Sequence, residues 1–319
     1  MKPKVLLTHP LLKEAMDYLA EQVDLELATE ELILPQSELT SRVKDKAGLL
    51  CFLTDRVGRE VIDRAAQLRI IANCAVGVNN IDVDYARSRG ILVTNTPEVL
   101  TEATADLTLA LILATTRRLA EADRFCRQGK FKGWEIDLLL GQELSGRVLG
   151  IIGFGRIGWA VARRAKALNL KVVYHDPKPL TREKELEFEA EYRELDALLS
   201  ESDIISIHAP LTPESYHLIS KEKLALMKKT SVLINVARGP IVDEKALSEA
   251  LEQGKIWAAG LDVYENEPQI EPGLLKLENV VLLPHIGSAT QETRTRMCFM
   301  AVNNLLQGLR GERPENLVE

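Results

Sequence analysis

The chain has 319 residues, 46% of them hydrophobic and 27% charged, and a formal net charge of −7. That length exceeds the ~250–300 residues at which a single core stops growing, so it predicts two domains, and the composition is that of an ordinary globular protein. An acidic balance without a polybasic cluster excludes the electrostatic footprint of a nucleic-acid or anionic-membrane binder and leaves small solutes as the expected partners.

The apolar run in Met1-Lys-Pro-Lys-Val-Leu-Leu is too short for a signal-peptide core and no stretch approaches a membrane span, so the expected compartment is the cytoplasm. Cys51, Cys74, Cys126 and Cys298 are scattered without a C-x-x-C pair, which indicates neither a disulfide framework nor a zinc site.

Apolar runs alternate with helical segments from the start of the chain. The first series predicts strands at 5–7, 48–53, 69–74 and 91–94 and helices near 11–21, 59–66 and 82–89. Residues 101–128 contain neither Gly nor Pro, with Thr101 as N-cap and Gly129 as stop, and predict one long helix. The second series predicts strands at 148–152, 171–174, 203–208, 231–236, 258–263 and 280–283, with helices near 157–168, 195–200, 220–227 and 245–252. A last helix is expected over 288–309 and then a loosely held polar tail. Strand and helix alternating in this way predict two doubly wound α/β domains with parallel sheets.

The most informative stretch is Val148-Leu-Gly-Ile-Ile-Gly153-Phe-Gly155-Arg156-Ile157-Gly158, followed by Asp176 at the end of the next strand. A buried strand leads into three glycines suited to a tight turn, a close approach to pyrophosphate and close helix packing. The helix beginning near Arg156 offers unpaired N–H groups and a positive dipole end to phosphates. Asp176 suits the ribose diol of NAD and repels the extra phosphate of NADP, although Lys178 softens that repulsion. Open parallel sheets bind ligands beyond the carboxyl ends of their strands. Arg238, Asp262, His285 and the Val76-Gly77 loop all follow such ends, with Glu267 in the loop after Asp262.

This set suits reduction of a 2-oxo acid. An arginine fork anchors the carboxylate, and a histidine, with an ordinary titration range near ~6.5, gives a proton to the carbonyl oxygen as hydride arrives. A carboxylate on the other ring nitrogen fixes the tautomer and stabilises the imidazolium. Arg238, His285 and Glu267 are the respective candidates, and Val76 and Gly77 add backbone N–H groups for the carboxylate. His208 ends a strand and borders the cofactor; Leu53, Leu100 and Trp134 are candidate pocket walls, Trp134 being better read as interface packing.

These motifs, together with His208-Ala-Pro210-Leu-Thr212, Asn235-Val-Ala237-Arg238-Gly239, Gly260-Leu-Asp262-Val-Tyr-Glu-Asn-Glu267-Pro268 and Pro284-His285-Ile-Gly287-Ser288, resemble the D-2-hydroxyacid dehydrogenase family over essentially the whole chain. The resemblance implies a Rossmann cofactor domain (100–288) inserted in a flavodoxin-like substrate-binding domain (1–99 and 289–319), and a homodimer using the region of the long helix. It assigns Arg238 to the substrate carboxylate, Glu267 and His285 to the proton relay, and Thr104, Ile157, Pro210, Ala237, Asp262, His285 and Gly287 to the cofactor surroundings. The pattern is most similar to glyoxylate and hydroxypyruvate reductases. Alternatives are a phosphoglycerate dehydrogenase without its regulatory domain, a non-catalytic NAD(H)-sensing binding protein, and oxidation of formate or phosphite on the same scaffold.

Overall fold

Short runs that are apolar at every position become strands covered on both faces, because no polar face remains to meet water. The computed structural model describes residues 2–29 and 34–319, and the chain divides into unit 1 (Met1–Leu100 and Ser288–Glu319) and unit 2 (Thr101–Gly287). In unit 1 the strands are β1 (Lys4–Leu7), β2 (Asp24–Leu27), β3 (Gly48–Cys51), β4 (Ile70–Asn73) and β5 (Leu92–Thr94), with helices α1 (Lys13–Gln22), α2 (Gln36–Arg42), α3 (Arg59–Arg64) and α4 (Val83–Ser88). All are parallel in the order β2-β1-β3-β4-β5, the flavodoxin-like order, and every residue of β3 and β4 is buried.

Unit 2 holds α5 (Thr101–Thr116), α6 (Leu119–Arg127), β6 (Val148–Ile152), α7 (Arg156–Ala165), β7 (Lys171–His175), α8 (Arg182–Phe188), β8 (Ala190–Tyr192), α9 (Leu195–Glu201), β9 (Ile204–Ile207), α10 (Lys221–Leu224), β10 (Val232–Asn235), α11 (Glu244–Glu252), β11 (Ala258–Leu261) and β12 (Val280–Leu282). Its parallel sheet runs β12-β11-β10-β9-β6-β7-β8, so the winding reverses between β6 and β9, the point at which such sheets open a ligand crevice. Alternation along the strands feeds two cores. Leu233 packs with the cores of α9, α10 and α11, while Val232 and Ile234 pack with those of α5 and α7. Each fully buried leucine or isoleucine contributes about 1.5–3 kcal/mol relative to exposure. The final helix α12 (Gln291–Leu309), N-capped by Thr290, returns to unit 1 against β3 and β4.

Two expectations fail. The single helix over 101–128 is broken, because Arg118 turns left-handed (φ 54°) and the carbonyl of Thr116 is taken by the N–H of Gln142 at 2.8 Å instead of continuing the helical ladder. Nor is the tail loose: the N–H of Val318 bonds the carbonyl of Val93 at 2.8 Å, and Leu317 bridges Thr94 at the sheet edge. The edge strands β2 and β8 and the helices α2 and α8 add to the predicted elements. No described helix is long and apolar enough to cross a membrane.

Candidate active site

The glycine turn after β6 is built as its residue types require. Gly153 lies at φ 87°, and a Cβ there would stand 2.4 Å from the nitrogen of Ala209, so a side chain is excluded both by conformation and by the chain crossing from β9. Gly155 is the N-cap of α7 with no side-chain cap, and a Cβ on it would meet nothing within 4 Å. The helix therefore begins beside open space with no side-chain cap, where the residues fit a pyrophosphate. Arg156 and Ile157 open the helix, and Gly158 packs against the carbonyl of Gly153. Asp176, just past β7, accepts the N–H of Phe154 at 2.9 Å and that of Lys178 at 3.0 Å, which locks the acid to the glycine turn.

Beyond the carboxyl ends of β10, β11 and β12, unit 2 gathers a second group. His285 Nδ1 lies 2.9 Å from Glu267 Oε2, both side chains being only about three-tenths exposed (28% and 30%). The other carboxylate oxygen of Glu267 accepts the N–H of Tyr264 at 3.0 Å. Burial alone would raise the Glu267 carboxyl, but the bond and charge of His285, the Tyr264 amide and the charge of Arg238 outweigh it and hold it below its ordinary value. His285 has left-handed backbone (φ 54°), a conformation that costs an ordinary residue about 1–2 kcal/mol. Asp262 holds it there: its two oxygens accept the N–H groups of Ile286 (2.7 Å) and Gly287 (2.8 Å). Burial pushes the Asp262 carboxyl up, against those two bonds and the charge of His285.

Arg238 donates from Nη1 to the carbonyl of Ala237 at 2.6 Å. Among the described residues it has no ion-pair partner within 4 Å, and burial lowers its guanidinium against the pull of Glu267. A half-buried guanidinium without a carboxylate is set to receive one.

The remaining predicted residues fall as follows. Thr104 is buried on α5 and donates to the carbonyl of Gly287 at 3.3 Å. His208 is partly buried, with Nε2 2.8 Å from Ser206 Oγ and Nδ1 shut off from solvent without a partner. Pro210 receives Ser215 Oγ through its carbonyl, and the N–H of Ala237 bonds Asn235 Oδ1. In unit 1, Leu53 is exposed after β3, and the loop after β4 is held by Asn95 on the Val76 carbonyl (2.8 Å) and Asn73 on the Gly77 carbonyl (2.7 Å). Among the described residues the N–H groups of Val76 and Gly77 donate no hydrogen bond. Tyr264, which the sequence reading passed over, is buried; its amide holds Glu267, and its hydroxyl donates to the carbonyl of Leu283 at 2.8 Å.

Known proteins resemble this chain over nearly its whole length. Residues 109–287 match the model for the NAD binding domain of D-isomer specific 2-hydroxyacid dehydrogenases. The chain is 49% identical to a glyoxylate reductase of Korarchaeum cryptofilum and 47% identical to one of Pyrococcus furiosus, each alignment covering 100% of this chain and 96% of the relative. Among solved structures it is similar to a glyoxylate reductase from Paecilomyes thermophila (TM-score 0.88, 34% identity, 99% of this chain and 98% of that one). It is also similar to an NADPH-dependent glyoxylate/hydroxypyruvate reductase from Sinorhizobium meliloti (TM-score 0.89, 33% identity, 100% and 97%). The chain belongs to the D-isomer specific 2-hydroxyacid dehydrogenase family. It is a nicotinamide-dependent oxidoreductase that acts on a CH–OH group.

Proposed function

We propose that the protein reduces glyoxylate or hydroxypyruvate to the corresponding 2-hydroxy acid, with His285 as proton donor. The observation that carries the residue assignment is the His285–Glu267 pair at 2.9 Å, with a half-buried Arg238 that lacks an ion-pair partner in the same unit. The glycine turn and the first turn of α7 would hold the pyrophosphate of a reduced nicotinamide coenzyme, which when bound would supply the hydride for the carbonyl carbon. Arg238 grips the substrate carboxylate, and in unit 1 the N–H groups of Val76 and Gly77 suit the same kind of anion. As the carbonyl bond opens, charge collects on its oxygen and the imidazolium gives that oxygen the Nε2 proton, the nitrogen turned away from Glu267. Glu267 keeps its negative charge throughout and stabilises the imidazolium before transfer.

NAD(H) is the proposed coenzyme, supported by the anchored Asp176 carboxylate, which repels a 2′-phosphate. A homodimer in the cytoplasm is the proposed state. It is supported by exposed Leu119, Phe131, Trp134 (80%), Ile136 and Leu140, an apolar series on one stretch of unit 2 that a second copy would cover. The test is loss of NADH or NADPH absorbance over a panel of glyoxylate, hydroxypyruvate, a phosphorylated 2-oxo acid, formate and phosphite. Turnover of about 1–10³ per second on the first two with NADH supports the reading. Tight coenzyme binding without turnover, or activity confined to formate or phosphite, overturns it.

A further inference from the structure

The loop that carries Glu267 is fastened from outside the reacting group. Glu244, the first residue of α11, is 5% exposed although it carries a carboxyl group. Its Oε1 accepts the N–H of Glu265 at 2.5 Å. That amide lies two residues before Glu267, so one side chain fastens the near end of the loop. Around Glu267 the N–H of Gln269 bonds the carbonyl of Asn266 at 2.9 Å.

The near end of the loop also meets the arginine turn. A Cβ added to Gly239 would stand 1.9 Å from the carbonyl carbon of Tyr264 and 2.3 Å from the nitrogen of Glu265, so the backbone after Arg238 lies flush on the peptide that Glu244 holds. An acid in the first turn of a helix is ordinarily explained by the dipole, but such an acid sits in water. Glu244 is instead buried, and burial pushes its carboxyl up, with the carboxylates of Glu265 and Glu271 adding repulsion that the Glu265 amide offsets only in part.

We propose that Glu244 is a positioning residue for the reduction: by gripping the Glu265 amide it sets Glu267 at hydrogen-bonding distance from His285 and seats the Tyr264–Glu265 peptide against the turn bearing Arg238. The inference rests on the relay reading of Glu267 and His285 given above.

A double-mutant cycle between Glu244 and Glu267 tests it, read as kcat/KM for glyoxylate beside the NADH dissociation constant from fluorescence. Glu244→Ala lowers kcat/KM by about 10–100-fold with NADH affinity within twofold of wild type, since a small misplacement of a reacting group is costly. Glu244→Gln, which keeps an acceptor oxygen and the shape, recovers to within about fivefold. The double variant Glu244→Ala/Glu267→Gln is no slower than Glu267→Gln alone, because Glu244 acts through Glu267.

Should Glu244→Ala fail to fold, Glu244→Asp replaces it in the cycle; it keeps the acid but draws it back by one methylene, and the same non-additivity is expected. Losses that add in the double variant, or a single variant with wild-type kcat/KM, overturn the inference and leave the relay standing. Glu267→Gln with wild-type turnover overturns the relay itself and the inference with it.

Discussion

His208 links the cofactor turn to the pH dependence of folding. Nε2 is engaged with Ser206 and Nδ1 is shut off from solvent with no acceptor, so desolvation drives the imidazole from its ordinary 6.5 down to about 3. Between those values the unfolded chain binds a proton that the folded chain refuses, so stability rises with pH across the window and falls as the solution is acidified from 6.5 toward 3. The slope for one such group is about 1 kcal/mol per pH unit, or roughly 2–3 kcal/mol between pH 6.5 and pH 4. Urea unfolding at half-unit pH steps reads this out. The chain's three tryptophans, Trp134, Trp159 and Trp257, all lie in unit 2, so their fluorescence reports the unit that contains His208. In His208→Gln the absolute stability falls, but the slope between pH 6.5 and 4 is shallower than wild type by that amount. Identical slopes, or a His208 ring resonance that titrates above pH 5 in the folded protein, would refute the reasoning.

Three other outcomes follow from the site. Gly153→Ala forces a left-handed Cβ into the Ala209 backbone and should abolish NADH binding by fluorescence, with a stability loss of at least about 1–2 kcal/mol; binding at wild-type affinity contradicts the turn assignment. Arg238→Lys replaces a fork by a point charge and should lower kcat/KM for glyoxylate by about tenfold or more with NADH affinity unchanged, whereas an unaltered kcat/KM removes Arg238 from the anchor role. Asp176→Ala removes the carboxylate at the end of β7 and should raise the ratio of NADPH to NADH specificity by about tenfold; an unchanged ratio shows that the acid does not select the coenzyme.

The sequence reading reached furthest where a residue type answers to local geometry. The strand, glycine turn, helix and acid of 148–176 were legible because only glycine tolerates the Gly153 conformation and the acid sits one strand away at a fixed end. That Arg238, Glu267 and His285 follow β10, β11 and β12 was legible, since parallel strands deliver their carboxyl ends to one edge.

What escaped depends on distant backbone pairing. The break at Arg118 has no glycine or proline to announce it, because it is made by the 140s segment capturing the Thr116 carbonyl. The tail looked loose by composition, yet its backbone completes the edge of β5. The roles of Tyr264 and Glu244 lie in amides and carbonyls they meet only after folding, so the residue names alone carried no signal beyond their place near Glu267. His285 likewise gave no sign of its left-handed backbone, which Asp262 sustains.

The proton relay is tested most directly by single-turnover reduction of glyoxylate at saturating NADH, comparing wild type with His285→Ala. The variant should bind NADH normally and turn over about 10²–10⁴-fold more slowly, the usual scale for loss of a general acid. A rate within twofold of wild type would contradict the account.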